Sequence, residues 1–147
     1  MLVFAAWPLP FLTHAGAAWA QTESNLLSHQ DRALYRKAFR AAKKNDWRGA
    51  HRLARKAENS LPAKALRWLN YRLPGNRARF GEIADFLDAN PTWPSRDRLI
   101  RRAEEAMEIS RVADPIALEW FTLHRPLSGP GQIRLAEAML RNGMTED

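Results

Sequence analysis

Apolar residues recur along the chain at the three- and four-residue spacing of one face of an α-helix. Phe80, Ile83, Ala84 and Leu87 lie at i, i+3, i+4 and i+7, the spacing of a helix that buries one face. No stretch alternates apolar and polar residues for long enough to indicate a β-strand. The pattern therefore predicts an all-α fold.

Residues that begin and end helices divide this pattern into about seven helices. A Ser or Asp before a helix accepts hydrogen bonds from the first free backbone N–H groups, whereas Pro and Gly interrupt helices. The first helix is expected to run from Ser28 to about Lys44 and the second to Ala57. The predicted N-caps are Ser28, Asp46, Ser60, Ser95 and Asp114; breaks are predicted at Asn45-Asp46, Pro74-Gly75-Asn76, the loop bounded by Pro91 and Pro94, Pro126 and Gly129-Pro130-Gly131, and the last helix is expected to end at Gly143.

The predicted helices repeat in pairs. Pairs begin near residues 28, 61, 95 and 129, about 34 residues apart, which is the period of tetratricopeptide-like helical hairpins. We therefore expect stacked antiparallel helix pairs in an α-superhelix, with the last pair incomplete. The last helix has an apolar face that lacks a predicted partner, so we expect the chain to be the front of a longer protein. That face consists of Ile133, Ala136, Met139 and Leu140.

The first twenty residues resemble an export signal. They are mostly apolar, and Ala18-Trp19-Ala20 before Gln21 fits a cleavage site of the small-x-small type. A membrane anchor is the alternative, and Pro8 and Pro10 within the apolar run disfavour it. The predicted organisation is a signal peptide (1–20), a short polar linker (21–27), a helical domain (28–143) and a tail (144–147), with the mature chain exported and without a membrane span.

Charge is distributed unevenly along the 147 residues, whose formal net charge is +7. Residues 28–79 carry 15 basic and 3 acidic side chains, whereas residues 80–147 carry 8 basic and 12 acidic ones. Such an asymmetry indicates an anionic ligand or an acidic partner surface for the first half, although a solvated basic face is an equally weighted alternative. The candidate contact face comprises Arg32, Arg36, Arg40, Lys43 and Lys44 on the first helix, and Arg48, Arg52 and Arg55 on the second.

Residues with catalytic potential do not form a recognisable motif. The absence of Cys excludes disulfides, thiolate zinc sites and a Cys nucleophile, and the four His show no metal-ligand spacing. We therefore expect no catalytic residue, metal or cofactor. Glu104 and Glu108 are interpreted as part of an exposed, ion-paired helix face, with Arg101 paired to Glu105.

The tryptophans of the helical region are expected mainly in the cores of the helix pairs rather than on a sugar-stacking surface. Trp93 is the exception, because it lies in a loop between two prolines. The remaining three are Trp47, Trp68 and Trp120.

Several stretches of the mature chain resemble the N-terminal superhelix of soluble lytic murein transglycosylases of Gram-negative bacteria, most closely the alphaproteobacterial type. The resemblance covers roughly residues 28–143. The stretches that carry it are Tyr35 to Phe39 (YRKAF), Asp46 to Ala54 (DWRGAHRLA), Ala63 to Leu69 (AKALRWL), Phe80 to Pro94 (FGEIADFLDANPTWP), Arg101 to Glu104 (RRAE) and Gly131 to Gly143 (GQIRLAEAMLRNG).

The resemblance implies a periplasmic enzyme family that cleaves the β-1,4 bond between N-acetylmuramic acid and N-acetylglucosamine and leaves a 1,6-anhydromuramyl end. In that family the catalytic Glu belongs to a Glu-Ser motif on a lysozyme-like domain C-terminal to the superhelix. Glu23-Ser24 lies next to the predicted signal and does not match that context, and the Gly-Leu-Met-Gln segment of the family is absent. No catalytic residue is therefore carried over, and the chain is expected to be inactive alone.

The partners that the resemblance implies are peptidoglycan and the catalytic domain that this chain lacks. Two other interpretations remain open: a stand-alone periplasmic tetratricopeptide-like module that binds other proteins, and an exported module that binds polyanions through its basic face. Nucleic acid is not expected, because no nucleic-acid-binding motif accompanies the charge.

Overall fold

Seven α-helices form the part of the chain that the computed structural model describes, residues 26–144. These residues contain no β-strand, which confirms the predicted all-α fold. The predicted signal peptide, most of the linker and residues 145–147 lie outside the described residues. The helices are α1 (His29–Lys43), α2 (Trp47–Ala54), α3 (Leu61–Tyr71), α4 (Phe80–Ala89), α5 (Arg96–Ile109), α6 (Asp114–Leu123) and α7 (Gly129–Arg141).

The helices stack along the chain in the manner of a solenoid. α1, α3, α5 and α7 begin within one residue of the predicted pair starts. α1 contacts α2 and α3, and α2 also contacts α3. In the second half α4 packs against α5, while α5 and α6 both contact α7. Contacts of α1 with α3, of α4 with α5 and of α5 with α7 join each repeat to the next, as the 34-residue period predicts.

Two hydrophobic clusters form the interior of the described helices. The smaller one joins α1, α2 and α3 through Tyr35, Ala38, Ala54 and Leu66. The larger one extends from Tyr71 at the end of α3 to α6, so α3 contributes to both clusters. The buried residues of the larger cluster are Tyr71, Phe80, Ile83, Phe86, Leu87, Leu99, Ile100, Ala103, Ala106, Met107, Ala117 and Trp120.

Trp93 packs against the larger cluster, contrary to the prediction that it lies outside the core. Its ring meets Phe86 edge-on, with 5.9 Å between the ring centroids, and the Lys64 ammonium lies 5.4 Å from the centre of its ring. The loop returns to the core because Trp93 N donates to Asn90 O at 3.0 Å, while Asn90 Nδ2 donates to Phe86 O at 2.7 Å. The prolines therefore bound a tight turn that directs this indole inward. Trp120 is buried as predicted.

The first two predicted N-caps are confirmed. Ser28 Oγ accepts a hydrogen bond from Asp31 N at 3.0 Å, and Asp46 Oδ1 accepts one from Gly49 N at 2.8 Å. These bonds satisfy backbone donors that an α-helix leaves free in its first turn. α2 ends at Ala54, three residues earlier than predicted.

The other three predicted N-caps do not cap their helices through a side-chain hydrogen bond. Ser60 and Ser95 precede helices, but neither side chain makes a capping hydrogen bond. Asn59 Oδ1 instead accepts from Leu61 N at 3.0 Å, and Ser95 has a left-handed φ of 64°. Asp114 is the first residue of α6 rather than its cap, because its carboxylate binds arginines of α7.

The predicted break at residues 129–131 is the first turn of α7. Ser128 Oγ accepts from Gly131 N at 3.0 Å and Pro130 lies in the first turn, where its missing N–H does not interrupt the helix. The predicted end at Gly143 is confirmed, since this residue follows the helix with a φ of 66°.

Asp114 joins the start of α6 to α7. Arg134 Nη2 donates to Asp114 Oδ1 at 2.7 Å, and Arg141 Nε donates to Asp114 Oδ2 at 2.8 Å. The hydrogen bonds from Arg141 and Arg134 lower the pKa of Asp114 well below its usual range. The carboxyl group is therefore ionised at neutral pH and holds α7 against α6 through two guanidinium groups.

Glu104 is buried, contrary to the prediction that it lies on an exposed, ion-paired face. It is 1% exposed, and both carboxyl oxygens accept from Leu127 N, at 2.9 and 3.2 Å, while the Ser128 hydroxyl also donates to it. Glu104 is buried because the loop before α7 packs over this face of α5. Glu108 remains exposed, and the observed ion pair of Glu105 is with Arg102, at 2.9 Å, rather than with Arg101.

Gly131 allows α7 to approach Glu104 closely. A Cβ atom at this position would lie 2.5 Å from Oε2 and 3.0 Å from Cγ of Glu104. We expect Gly131→Ala to lower the free energy of unfolding by about 1–2 kcal/mol, because overpacking outweighs the gain in helix propensity. Urea denaturation followed by circular dichroism measures this change. Gly129→Ala is the matched control, since nothing lies within 4 Å of its Cβ position, and equal stability of the two variants would contradict the prediction.

The predicted unpartnered face of α7 is exposed within the described residues. Ile133 is 62% exposed, Leu140 is 67% exposed, and Ala136 is also exposed. Met139 is half-buried, because this side of the helix turns toward the rest of the fold. The described end of the solenoid therefore presents an apolar strip to solvent.

Candidate functional site

The eight basic residues of the predicted contact face lie at the surface of α1 and α2. All are exposed except Arg32, which is half-buried. The structure divides six of them between two grooves and leaves Lys44 and Arg52 outside both. The predicted face is therefore two separate basic surfaces.

The first surface is a groove along α1, called here the α1 groove, with a volume of about 490 Å³. Four basic side chains line it at intervals of three or four residues, and no acidic side chain does. Arg40 Nε donates to Arg36 O at 3.3 Å, which aligns its guanidinium along the helix. The lining residues are Arg32, Arg36, Arg40 and Lys43, with Leu27, Tyr35 and Phe39 supplying the apolar part.

Tyr35 fixes the inner wall of the α1 groove. Its ring is buried in the smaller core cluster, and its hydroxyl donates to Asn59 O in the loop before α3. Burial raises the pKa of Tyr35, so the phenol stays protonated and keeps this hydrogen bond at neutral pH. The groove therefore combines a rigid aromatic wall with a row of cations.

The second surface is a groove of about 680 Å³ between α2, α3 and the loop that follows α3, called here the α2–α3 groove. Arg48 of α2 and Arg55, which directly follows this helix, line the groove. Arg67 from α3 and Arg77 from the loop join them, and sequence reasoning did not select either residue. Only the stacking of α3 on α2 brings them together, although the positive charge of residues 28–79 was a general indication of such a cluster. The groove also contains two carboxylates, Asp46 and Glu82.

His51 is the histidine that lines the α2–α3 groove. One ring nitrogen, Nε2, lies 3.1 Å from Asn70 Nδ2. Burial lowers its pKa, and the positive charges of Arg55 and Arg67 lower it further. The imidazole is therefore neutral at physiological pH, so the positive potential of the groove comes from its arginines.

The described residues offer binding groups but no metal centre. No group of three or more His, Asp or Glu residues within 26–144 is arranged to hold a metal ion. The three described histidines are dispersed; His124, for example, stacks on Trp120 with 3.9 Å between ring centroids. Arginine forks and apolar walls are suited to holding a carboxylate or phosphate ligand.

None of the described helices is both long enough and apolar enough to cross a bilayer. Comparison with known proteins finds no family model, no curated protein and no solved structure that matches the chain. The interpretation of its function therefore rests on the sequence pattern and on the geometry of the two grooves.

Proposed function

We propose that the chain is a periplasmic helical scaffold of the lytic transglycosylase type, which binds peptidoglycan and contributes no catalytic residue itself. The observation that carries the proposal is the α1 groove, where four cations and no carboxylate line one apolar-walled depression. The all-α stacked architecture and the resemblance of residues 28–143 to the superhelix of these enzymes support it.

Peptidoglycan provides the chemistry that this groove can bind. Its stem peptides carry carboxylates, which arginine forks bind through paired hydrogen bonds. Its sugars have apolar ring faces that pack against aromatic side chains, and the half-buried Phe39 lies beside the cations. The groove therefore offers both kinds of contact along a single helix.

The spacing of the cations is also unfavourable without an anion. Like charges four residues apart on a helix cost roughly 0.2–0.5 kcal/mol per pair. Arg32, Arg36 and Arg40 form two such pairs, and none of the three makes an ion pair within residues 26–144. A bound carboxylate removes this repulsion and gains charge-assisted hydrogen bonds.

A protein partner is the second candidate. The exposed apolar strip of α7 favours it, because isoleucine and leucine more than half exposed on one helix face are typical of an interface. In this alternative the chain is a tetratricopeptide-like interaction module, and the basic grooves face an acidic surface such as that of a catalytic domain.

Pelleting with purified, protein-free sacculi tests the peptidoglycan proposal. We expect the chain to sediment with sacculi at low salt and to be released as the screening length falls from about 10 Å at 0.1 M salt to about 3 Å at 1 M. The triple charge reversal Arg36→Glu, Arg40→Glu, Lys43→Glu is expected to abolish sedimentation, because it converts the groove from cationic to largely anionic.

The matched control reverses three exposed basic residues that line neither groove, Lys37, Lys56 and Arg125. It changes the net charge by the same amount and is expected to retain most of the binding. Equal loss in both variants would show that overall charge, not the groove, attracts the protein to sacculi. Binding that survives in the groove variant, or no binding by the unaltered chain, would overturn the proposal.

A further inference from the structure

Four arginines that line neither basic groove border a cleft of about 450 Å³ between the end of α3 and the first half of α5, and Pro74 separates this cleft from the α2–α3 groove. Arg72 follows α3 directly. The other three lie at i, i+3 and i+4 on α5, which places them on one helix face. The cleft is lined by Arg72, Pro74, Ser95, Asp97, Arg98, Arg101 and Arg102.

Arg72 is held in place before any ligand binds. Its guanidinium carbon lies 4.3 Å from the centre of the Trp68 ring, and Trp68 Nε1 donates to Pro94 O at 2.9 Å. The indole is therefore fixed by the loop before α5 and supports a flat guanidinium. Arg72 Nε is buried and has no hydrogen-bond partner within the described residues.

The arginines of α5 are only partly neutralised. Arg102 pairs with Glu105 at 2.9 Å, but its Nε is also buried without a partner in the described part of the chain. Arg101 donates to Leu127 O, which fixes its direction without cancelling its charge. Arg98 is exposed and forms neither a side-chain hydrogen bond nor an ion pair within residues 26–144.

The backbone beside these side chains adds positive potential. The cleft lies at the N-terminus of the 14-residue helix α5, where the helix dipole favours an anion. Ser95, which precedes the helix, makes no capping hydrogen bond with its side chain, so its hydroxyl remains available to a ligand. The four lining arginines, rather than the helix end alone, supply most of the positive potential of the cleft.

We propose that this cleft binds the phosphate group of a small ligand. Four guanidinium charges meet one lining carboxylate, Asp97, and the paired Glu105, so an excess of about two positive charges remains. A phosphomonoester carries about −1.5 to −2 at neutral pH and presents three acceptor oxygens, which matches this excess better than a single carboxylate does. The site is independent of the proposed peptidoglycan contact, because no residue lines both this cleft and the α1 groove.

Calorimetric titration with inorganic phosphate and with glycerol phosphate, at constant ionic strength, tests the proposal. We expect saturable binding of at least one of them, with acetate binding at least about tenfold more weakly, because it offers one charge and fewer acceptors. Tighter binding of glycerol phosphate assigns the site to an organic phosphate, and tighter binding of inorganic phosphate assigns it to the free ion.

The variants Arg98→Gln and Arg72→Gln are each expected to weaken binding about tenfold or more, because each loses a charge-assisted hydrogen bond. Arg98 is exposed, so its variant remains informative if Arg72→Gln does not fold. Arg36→Gln, on the α1 groove, is the control with the same charge change and is expected to bind normally. No saturable binding of either phosphate, or equal weakening in Arg98→Gln and Arg36→Gln, would overturn the proposal.

Discussion

Replacing Glu104 with alanine is expected to lower the free energy of unfolding by about 3 kcal/mol, the largest effect predicted for a single side chain of this protein. The carboxyl group is 1% exposed and accepts from Leu127 N and from the Ser128 hydroxyl. Its removal leaves buried donors without acceptors, each costing about 1–3 kcal/mol, and opens a cavity beneath α7. The packing of α7 against α5 depends on the Glu104 carboxyl group, because Leu127 and Ser128, which it binds, lead directly into α7.

The measurement is urea denaturation followed by far-ultraviolet circular dichroism, with hydrogen exchange reporting on residues 127–131. Glu108→Ala is the matched control, one turn further along α5 and exposed, and is expected to change stability by no more than about 0.5 kcal/mol. Glu104→Gln keeps one acceptor oxygen and is expected to lose less than the alanine variant. Equal stability of Glu104→Ala and Glu108→Ala would show that the loop does not depend on the carboxyl group.

Asp31→Ala is expected to have the second largest effect, a loss of about 2–3 kcal/mol. Asp31 is 2% exposed, and its two oxygens accept from Glu58 N and Asn59 N, each at 3.0 Å. These backbone donors precede α3, so the carboxyl group connects α1 to the start of the next repeat. Without it, two N–H groups lose their acceptors, and the loop is held by the hydrogen bonds of Asn59 O with the Tyr35 hydroxyl and of Asn59 Nδ2 with Leu26 O.

Glu58→Ala is the control for this variant, since it removes an equal charge from the same loop while its exposed side chain leaves the backbone N–H in place. Denaturation curves of the two variants should separate by more than the experimental error, with Glu58→Ala close to the unaltered chain. Proteolysis provides a second readout, because a released loop before α3 is cleaved faster. Coincident curves would contradict the assigned role of Asp31.

Asp31 and Glu104 perform the same task in the two halves of the fold. Each is a buried carboxyl group on an odd-numbered helix, and each accepts from the loop that begins the next odd-numbered helix. The carboxyl groups thus stabilise the stacking of α1 on α3 and of α5 on α7. Each carboxyl group accepts two or more hydrogen bonds, and a buried donor that loses its acceptor costs about 1–3 kcal/mol, so these groups contribute strongly to the junctions.

Helix positions were predictable because their causes are local. The apolar spacing, the Ser28 and Asp46 caps and the stop at Gly143 act within one or two turns of the chain, so the starts of α1, α3, α5 and α7 were predicted to within one residue. The cap predicted at Asp114 failed because Arg134 and Arg141, twenty or more residues away in the sequence, bind its carboxylate.

The candidate site was predictable in part. The row of cations on α1 follows from helical spacing alone, and the structure gathers Arg32, Arg36, Arg40 and Lys43 in one groove. The α2–α3 groove also needs Arg67 and Arg77, which helix stacking brings to Arg48 and Arg55. Spacing within a single helix cannot predict such a cluster, because its members belong to different elements.

The sequence by itself therefore determined the all-α class, the 34-residue repeat, the helix boundaries set by local chemistry and the basic character of the first half. Only the tertiary structure decided that Glu104 is buried, that Trp93 turns into the core and that the arginines fall into separate grooves and a cleft. The physical reason is the distance along the chain over which each effect acts. Helical periodicity and capping act over a few residues, whereas burial and charge clustering depend on which distant segments pack together.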